Sequence, residues 1–378
     1  MAKLNNIKIN AFRGISDLYV EDLSNINLIV GDNNCGKTSI LEAIQLLRTP
    51  QNLNNVFRVS RTRDSYIGIS RMPIYDSFIN MLQGEQEKHI SVSCEYEEND
   101  GKQIQNNCSL SINGTIKQVM LDINELSKQD RFAYRRELLE PEDNETDEFV
   151  GDLIIESNKL GTTIEPIRIN QFMNVTGRSI EGHELIRMNY LSPIAHVAGY
   201  TFNRIIKNEK YKEICITMLQ MFDKNIDDLL FLKMESSYRP IEYVKNKVNG
   251  LMPLSTYGDG IKKVLAIANA IAQAADGVLL IDEIETSIHS KYYDDIFKFV
   301  IKAAIQYNVQ LFITTHSIEA VDGLLNTQVC NGIYSDAEDL IKVITLRKDE
   351  ATEKTLCRSM SGKEVYDKRE NFNFEVRI

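Results

Sequence analysis

The run Asn27-Leu28-Ile29-Val30-Gly31-Asp32-Asn33-Asn34-Cys35-Gly36-Lys37-Thr38-Ser39 constrains this chain more than any other. A short apolar stretch, 27–30, reads as a buried strand. It runs directly into G-x-x-x-x-G-K-[ST], and 39–48 continues with helical periodicity until Pro50 closes it. Strand, glycine-rich loop and helix form a complete local unit. Its glycines let the backbone fold tightly, so that its N–H groups and the helix N-terminus face an anion. Lys37 is the residue that reaches β- and γ-phosphates, and Thr38 offers a hydroxyl to Mg²⁺. The expected nucleotide contacts are therefore Gly31, Asp32, Asn33, Asn34, Cys35, Gly36, Lys37, Thr38 and Ser39, with ATP and Mg²⁺ as the cofactors.

A second apolar run, 277–281, delivers Asp282 and Glu283 at its C-terminal end. Ligands of open α/β sheets bind at that end of the strands. Asp282 is the expected second metal ligand, directly or through water, and Glu283 the group that orients the attacking water. A third run, 309–315, leads into His316, expected to donate a hydrogen bond to the γ-phosphate or the water. Ser255, Thr256, Gly258 and Gly260 precede a helical pattern at 260–275 and form a second anion-binding corner. The plainer account is an ordinary helix start capped by Asp259 or Ser255.

Around these motifs the pattern predicts a mainly parallel core sheet, because strands that end in chemistry alternate with helices. Two strands flank a turn at Arg13-Gly14. Residues 89–97 and 107–121 alternate apolar and polar, with turn residues at 99–102 and 113–115, as in an antiparallel meander. Further strands are expected at 152–156, 164–169 and 186–191. Helix is expected at 123–139, 204–232 and 290–306, with another beginning after His316. The stretch 51–75 reads as irregular, 141–148 as an acidic loop, and 340–378 as strand patches with a mixed-charge end. The expected division is an N-terminal ATPase part at 1–50, an inserted mixed β and helical region at 51–250 that partly continues the ATPase fold, and a C-terminal ATPase part at 251–378.

Composition sets the outer bounds. At 378 residues the chain has room for two or three domain-sized units, or one large domain with an insertion, and 43% hydrophobic residues exclude wholesale disorder. No apolar run reaches the roughly 18 residues a membrane span needs, and the N-terminus lacks a secretory h-region. Six scattered cysteines form no CxxC pair, which fits a reducing cytosol. Lys plus Arg number 43 against 54 acidic residues, a net charge of −11, so any nucleic-acid contact needs a local basic patch. The best patch is Arg58, Arg61, Arg63 and Arg71; it reads equally as a DNA path or as a solvated loop.

The order of these motifs is that of ABC ATPases. INAFRGISDL and INLIVGDNNCGKTSILEAI resemble the SMC and RecF side of that class. STYGDGIKKVL, VLLIDEIETSIHS and VQLFITTHS resemble most the OLD-type and abortive-infection (AbiL-like) ATPases, as does the end NFNFEVRI. The resemblance covers about the first 50 and last 125 residues. It implies a homodimer or larger even-numbered assembly in which Ser255 or Thr256, with Gly258, closes on the partner's phosphates. It also implies that Glu285 and His289 lie in the loop that follows the acidic pair and faces the dimer interface, although a solvated helix start explains them too. Arg13 is then a phosphate contact or a surface turn. No Q-loop glutamine stands out. The non-heptad stretch between Lys37 and Asp282 predicts a compact insertion and no long arms. The residues after His316 are too few for a Toprim nuclease, so a nuclease or toxin is expected on a separate chain of an antiphage or toxin–antitoxin-like system. The alternatives are a RecF-like DNA-repair ATPase and an ATP-locked scaffold with negligible turnover.

Overall fold

The computed structural model describes residues 2–63, 72–99, 103–120, 145–171, 184–197, 202–233, 240–330, 340–349, 351–352 and 354–377. The expectations for helix at 123–139 and for Arg71 lie outside these residues. Two six-stranded sheets organise the rest.

The first is antiparallel throughout. It comprises β1 (Ala2–Phe12), β2 (Ile15–Val20), β4 (Glu87–Asn99), β5 (Gln103–Met120), β6 (Glu145–Ser157) and β7 (Gly161–Asn170), in the order β2-β1-β4-β5-β6-β7. The second holds β3 (Ile26–Gly31), β8 (Met188–Leu191), β12 (Val278–Ile281), β13 (Gln310–Thr314), β14 (Ile341–Lys348) and β15 (Thr355–Ser361), in the order β15-β14-β3-β13-β12-β8. In that core sheet only the β14–β15 pairing is antiparallel. A small meander of β9 (Ile226–Leu232), β10 (Ile241–Asn246) and β11 (Gly250–Pro253) stands apart from both.

The core sheet divides two hydrophobic cores by simple alternation. Leu28, Val30, Leu279, Ile281, Leu311 and Ile313 face one core, and Ile29, Val278, Leu280 and Phe312 face the other. This is the period-2 consequence of a pleated strand. The first core is closed by α4 (Glu209–Leu219), α5 (Asp259–Gln273), α6 (Tyr293–Gln306), α7 (Ile318–Cys330) and α8 (Gly362–Phe372). The second is closed by α1 (Lys37–Leu46), α2 (Leu53–Ser60), α3 (Ile74–Ile79) and the antiparallel sheet. Gln310 is one of the ties between the sheets. Its buried side chain accepts from the Leu4 N–H at 2.8 Å and donates to the Leu4 carbonyl at 2.9 Å.

Several local expectations change. The turn residues at 113–115 lie inside β5. Gly114 and Gly151 cross there so closely that a Cβ on Gly114 would stand 2.6 Å from the Val150 carbonyl oxygen. Glycine here marks a tight approach of two strands and not a turn. The 204–232 stretch is not one helix, since α4 stops at Leu219 and β9 pairs with β10. Asp223 accepts from the Asn225 N–H to make the intervening turn, and the helical period is broken there. Residues 51–75 are not wholly irregular. Asn52 caps α2 by accepting from the Asn54 N–H, and α2 buries Val56, Phe57 and Val59. Residues 145–148 belong to β6 and not to a loop, and the mixed-charge end contains α8, capped by Ser361 and braced by a Lys368–Glu364 pair. β8 places four residues of the middle region inside the core sheet, beside β12.

Candidate functional site: a nucleotide cradle at the ends of three parallel strands

Adjacent strands β3, β13 and β12 run parallel, so their C-terminal ends deliver Gly31, Thr314 and Asp282 to one edge of the sheet. Gly31 has φ +143°, and a Cβ there would meet the Leu346 carbonyl oxygen at 2.2 Å. Only glycine lets the loop leave β3 so close to β14. The loop closes through Gly36 at φ +103°, and α1 starts at Lys37 with no side-chain cap, which leaves its first N–H groups to the loop's interior. Asp32, Asn33 and Asn34 are exposed on the rim, while Cys35 is buried beneath it. Burial raises the Cys35 thiol above its usual range. The Lys37 ammonium donates to the Gly31 and Asp32 carbonyls at 2.7 Å each, which holds it over the loop.

Asp282 is 3% exposed and is the centre of a hydroxyl network. Thr38 lies 3.1 and 3.2 Å from its two oxygens, Thr314 donates to Oδ1 at 2.6 Å, and Tyr190 donates to Oδ2 at 3.1 Å. A buried carboxylate needs such partners. A hydroxyl and a carboxylate converging beside a phosphate-binding loop are the protein donors a magnesium ion takes, with the rest of its oxygen shell left to phosphate and water. The residues therefore fit Mg²⁺.

Glu283 follows with φ +48°, a left-handed conformation that a glutamate adopts only under constraint. The constraint is visible. Its N–H donates to the Thr314 hydroxyl at 2.8 Å, and its carbonyl accepts from the Lys263 ammonium at 3.4 Å. Thr286 donates to its carboxylate at 3.2 Å. Lys263 comes from α5, is fully buried, and also donates to the Pro193 carbonyl at 3.0 Å. Burial pulls its pKa down to about 8, against the attraction of Glu285, Asp282 and Glu283.

His316 follows β13 with its side chain half exposed. Its Nδ1 lies 3.0 Å from Glu285, and its N–H donates to the same carboxylate at 2.9 Å. Anchoring Nδ1 leaves Nε2 as the nitrogen that can meet a ligand. Arg377, near the end of the chain, donates to the His316 carbonyl at 3.3 Å and pairs with Glu375.

Four expected residues have partners within the chain that the sequence does not show. Glu285, expected in the loop that faces a dimer interface, is buried and serves His316 within the chain. Its neighbour in that expectation, His289, is exposed and accepts from the Lys291 N–H, as a local cap. Arg13 ion-pairs with Glu42 at 2.8 Å and donates to the Ser60 carbonyl. Arg63 forms a fork on the same Glu42 at 2.8 and 2.9 Å and donates to Ser39 at 2.9 Å. Burial opposes its charge, but Glu42 outweighs that and raises its pKa. A fully buried glutamate on α1 thus holds two arginines beside the loop, and Arg63 is ion-paired while part of its side chain stays exposed. The signal was Glu42 itself, one charge inside the apolar run of SILEAIQLL.

The signature stretch lies at the exposed start of α5. Gly258 is its N-cap residue and no side chain caps it, so neither Asp259 nor Ser255 plays that role. Thr256 donates to the Pro253 carbonyl at 2.7 Å, and both Ser255 and Thr256 are exposed. Gly260 approaches the Ser287 carbonyl, where a Cβ would stand 3.2 Å from the oxygen. Tyr190, Thr314, Lys263 and Arg377 were not singled out from the sequence. Thr314 alone had a signal, its place two residues before His316 at the end of the strand.

Three comparisons bear on this geometry. A family model described as "AAA domain, putative AbiEii toxin, Type IV TA system" matches residues 26–322. An "ATP/GTP phosphatase" of Helicobacter pylori is 23% identical over 343 residues, covering 84% of this chain and 86% of that one. An uncharacterized protein of Methanocaldococcus jannaschii is 31% identical over 120 residues, covering 32% of this chain and 98% of the other. Among solved structures, an SMC head domain from Thermotoga maritima overlays with a TM-score of 0.46 at 12% identity, covering 95% of this chain and 99% of that one. An Smc head domain derived from Pyrococcus furiosus, bound to the C-terminal domain of ScpA, overlays with a TM-score of 0.45 at 11% identity, covering 99% of this chain and all of that one.

Proposed function

We propose that this chain, which belongs to the AAA-domain family described as putative AbiEii toxin of a type IV TA system, is an ATP hydrolase that dimerises around ATP. It acts as the sensor or scaffold subunit of a defence system whose effector is a separate chain. The observation that carries the reading is the meeting of Thr38 with Asp282, with Glu283 held beside them by Thr314. The Helicobacter relative's name, ATP/GTP phosphatase, points the same way.

Lys37 and the loop N–H groups bind the phosphates, and Thr38 and Asp282 would hold Mg²⁺. When bound, the ion neutralises charge on the β- and γ-phosphates. Glu283 orients a water and takes its proton, and His316 Nε2 donates to the transferring phosphoryl group. Most of the catalysis is positioning and electrostatics on fixed groups. The exposed α5 start, with Ser255 and Gly258, closes on the phosphates of a second copy. Defence is the finer part of the proposal and rests on the family description and on the motif resemblance.

The test is the solution mass of Glu283→Gln, with and without Mg-ATP, by light scattering, alongside phosphate release. The expected result is a monomer that becomes a dimer only with ATP and releases phosphate at least about 100-fold more slowly than the parent, the scale of a lost general base. Unchanged phosphate release would remove Glu283 from the reaction. A mass that ignores ATP would replace the clamp with a constitutive scaffold.

A further inference from the structure

A second cavity lies beside the nucleotide cradle, between the end of α1, the end of α2 and β8. Its volume is about 270 Å³, near the lower end of the range for small-ligand sites. Arg48, Arg58 and Arg61 line it, and so does Gln45. None of these four is used by the proposed ATPase chemistry.

Their state is unusual in two ways. Gln45 is 5% exposed, and its side-chain nitrogen is buried with no hydrogen-bond partner among the described residues. A buried amide donor without a partner costs free energy unless something on the cavity side accepts from it. The three guanidinium groups also exceed their counter-charges. Among the described residues Arg48 pairs with Glu184 at 2.8 Å, Arg58 is held by Asn55 at 2.9 Å without an ion pair, and Arg61 has no ion pair. Partial desolvation, then the like charge of Arg48, lowers the pKa of Arg58, with Glu184 opposing. Guanidinium forks match tetrahedral oxyanions, and Gln45 adds a neutral donor that a carboxylate-free pocket otherwise leaves idle.

We propose that this cavity is a phosphate-binding site distinct from the nucleotide loop, built by Arg48, Arg58, Arg61 and Gln45. The ligand class is a phosphate group, either free or as the terminal phosphate of a nucleic-acid strand. The site also has a route to the ATPase centre. Tyr190 lines the cavity and its hydroxyl donates to Asp282 at 3.1 Å. The assignment of the cavity does not rest on the defence reading and survives its failure.

The experiment uses the full chain saturated with Mg²⁺ and AMP-PNP, so that the nucleotide loop is filled. Three probes are titrated by calorimetry: inorganic phosphate, a 5′-phosphorylated single-stranded oligonucleotide, and the same oligonucleotide with a 5′-hydroxyl. Arg61→Gln is the first variant, because it breaks no ion pair among the described residues; Arg58→Gln with Arg61→Gln is the second. The expected result is saturable binding of one phosphate-bearing probe per chain, weakened at least tenfold by Arg61→Gln and abolished by the pair. Tighter binding of the phosphorylated strand than of the hydroxyl strand supports a strand end as the source, and binding of inorganic phosphate with no such preference supports a free phosphate. Equal binding by parent and Arg61→Gln overturns the site. So does failure of all probes to bind, or binding of both strands alike with no response to inorganic phosphate.

Discussion

In the core sheet β3 buries all six of its residues, whereas β5 of the antiparallel sheet buries only alternate ones over part of its length. The contrast follows from what each sheet faces. Parallel strands covered on both sides read as continuous apolar runs, and antiparallel strands with one wet face alternate. It also decides where chemistry can sit. Every strand end that carries a candidate catalytic or metal-binding group belongs to the core sheet: Gly31 on β3, Asp282 after β12, His316 after β13. The antiparallel sheet supplies area, backs α1 and carries Arg13 at its first turn. One sheet concentrates polar groups that must all be satisfied; the other is stabilised mainly by burying Ile, Leu, Val and Phe.

The comparison breaks first at Thr314. Its hydroxyl serves Asp282 and the Glu283 N–H together, so Thr314→Val strips the Glu283 N–H of that partner and leaves Asp282 with only Thr38 and Tyr190 among the described residues. Phosphate release should fall about 100-fold through misplacement of both carboxylates, with a stability loss of about 1–3 kcal/mol. Retained activity in a steady-state assay would mean that the core sheet tolerates polar loss as easily as its neighbour.

The mirror experiment is Gly114→Val. A side chain there must push strands β5 and β6 apart, at a cost of about 3 kcal/mol in the manner of an overpacked core. Calorimetry should show a lower unfolding midpoint, while ATP affinity of the folded fraction stays that of the parent.

Lys263→Met sharpens the contrast through pH. Burial lowers the folded-state pKa to about 8 from 10.5. Between those values the unfolded chain holds the extra proton, so stability rises with pH through that window. The lysine's burden is fully present below pH 8 and is relieved by pH 10.5. In urea melts without nucleotide, the variant's stability relative to the parent should fall by up to about 3 kcal/mol from pH 8 to pH 10.5. A pH-independent difference would mean that the ammonium is not buried as described. At the small end, Ile164→Ser on edge strand β7, 64% exposed, should change stability by no more than about 0.5 kcal/mol.

The sequence made the cradle legible because the phosphate chemistry demands fixed residue types at fixed spacing. Gly31 to Ser39, Asp282 and Glu283 are local patterns on short buried strands, and the core sheet follows from them. Less of the middle region was legible. Gly114 carries the residue type of a turn and the role of a strand crossing, and only its partner Gly151, far along the chain, tells the two apart. The 204–232 stretch keeps enough apolar residues to look helical until Asp223 and Asn225 make their turn. Arg63 is read from the sequence as part of a basic patch, and Glu285 is placed by resemblance in the loop after the acidic pair. Arg63 is paired with buried Glu42 and Glu285 with the His316 backbone and ring, partners that sequence spacing does not reveal.

Gln310 connects these two worlds mechanically. Its amide grips both backbone groups of Leu4 on β1, so the antiparallel sheet cannot tilt against the core without straining that grip. Gln310 is also the first residue of β13, and the last is Thr314. Across one short strand of about 13–14 Å, a load applied to the outer sheet arrives at the hydroxyl beneath Asp282. One five-residue strand thus carries, at its two ends, the grip on the outer sheet and the hydroxyl that holds Asp282.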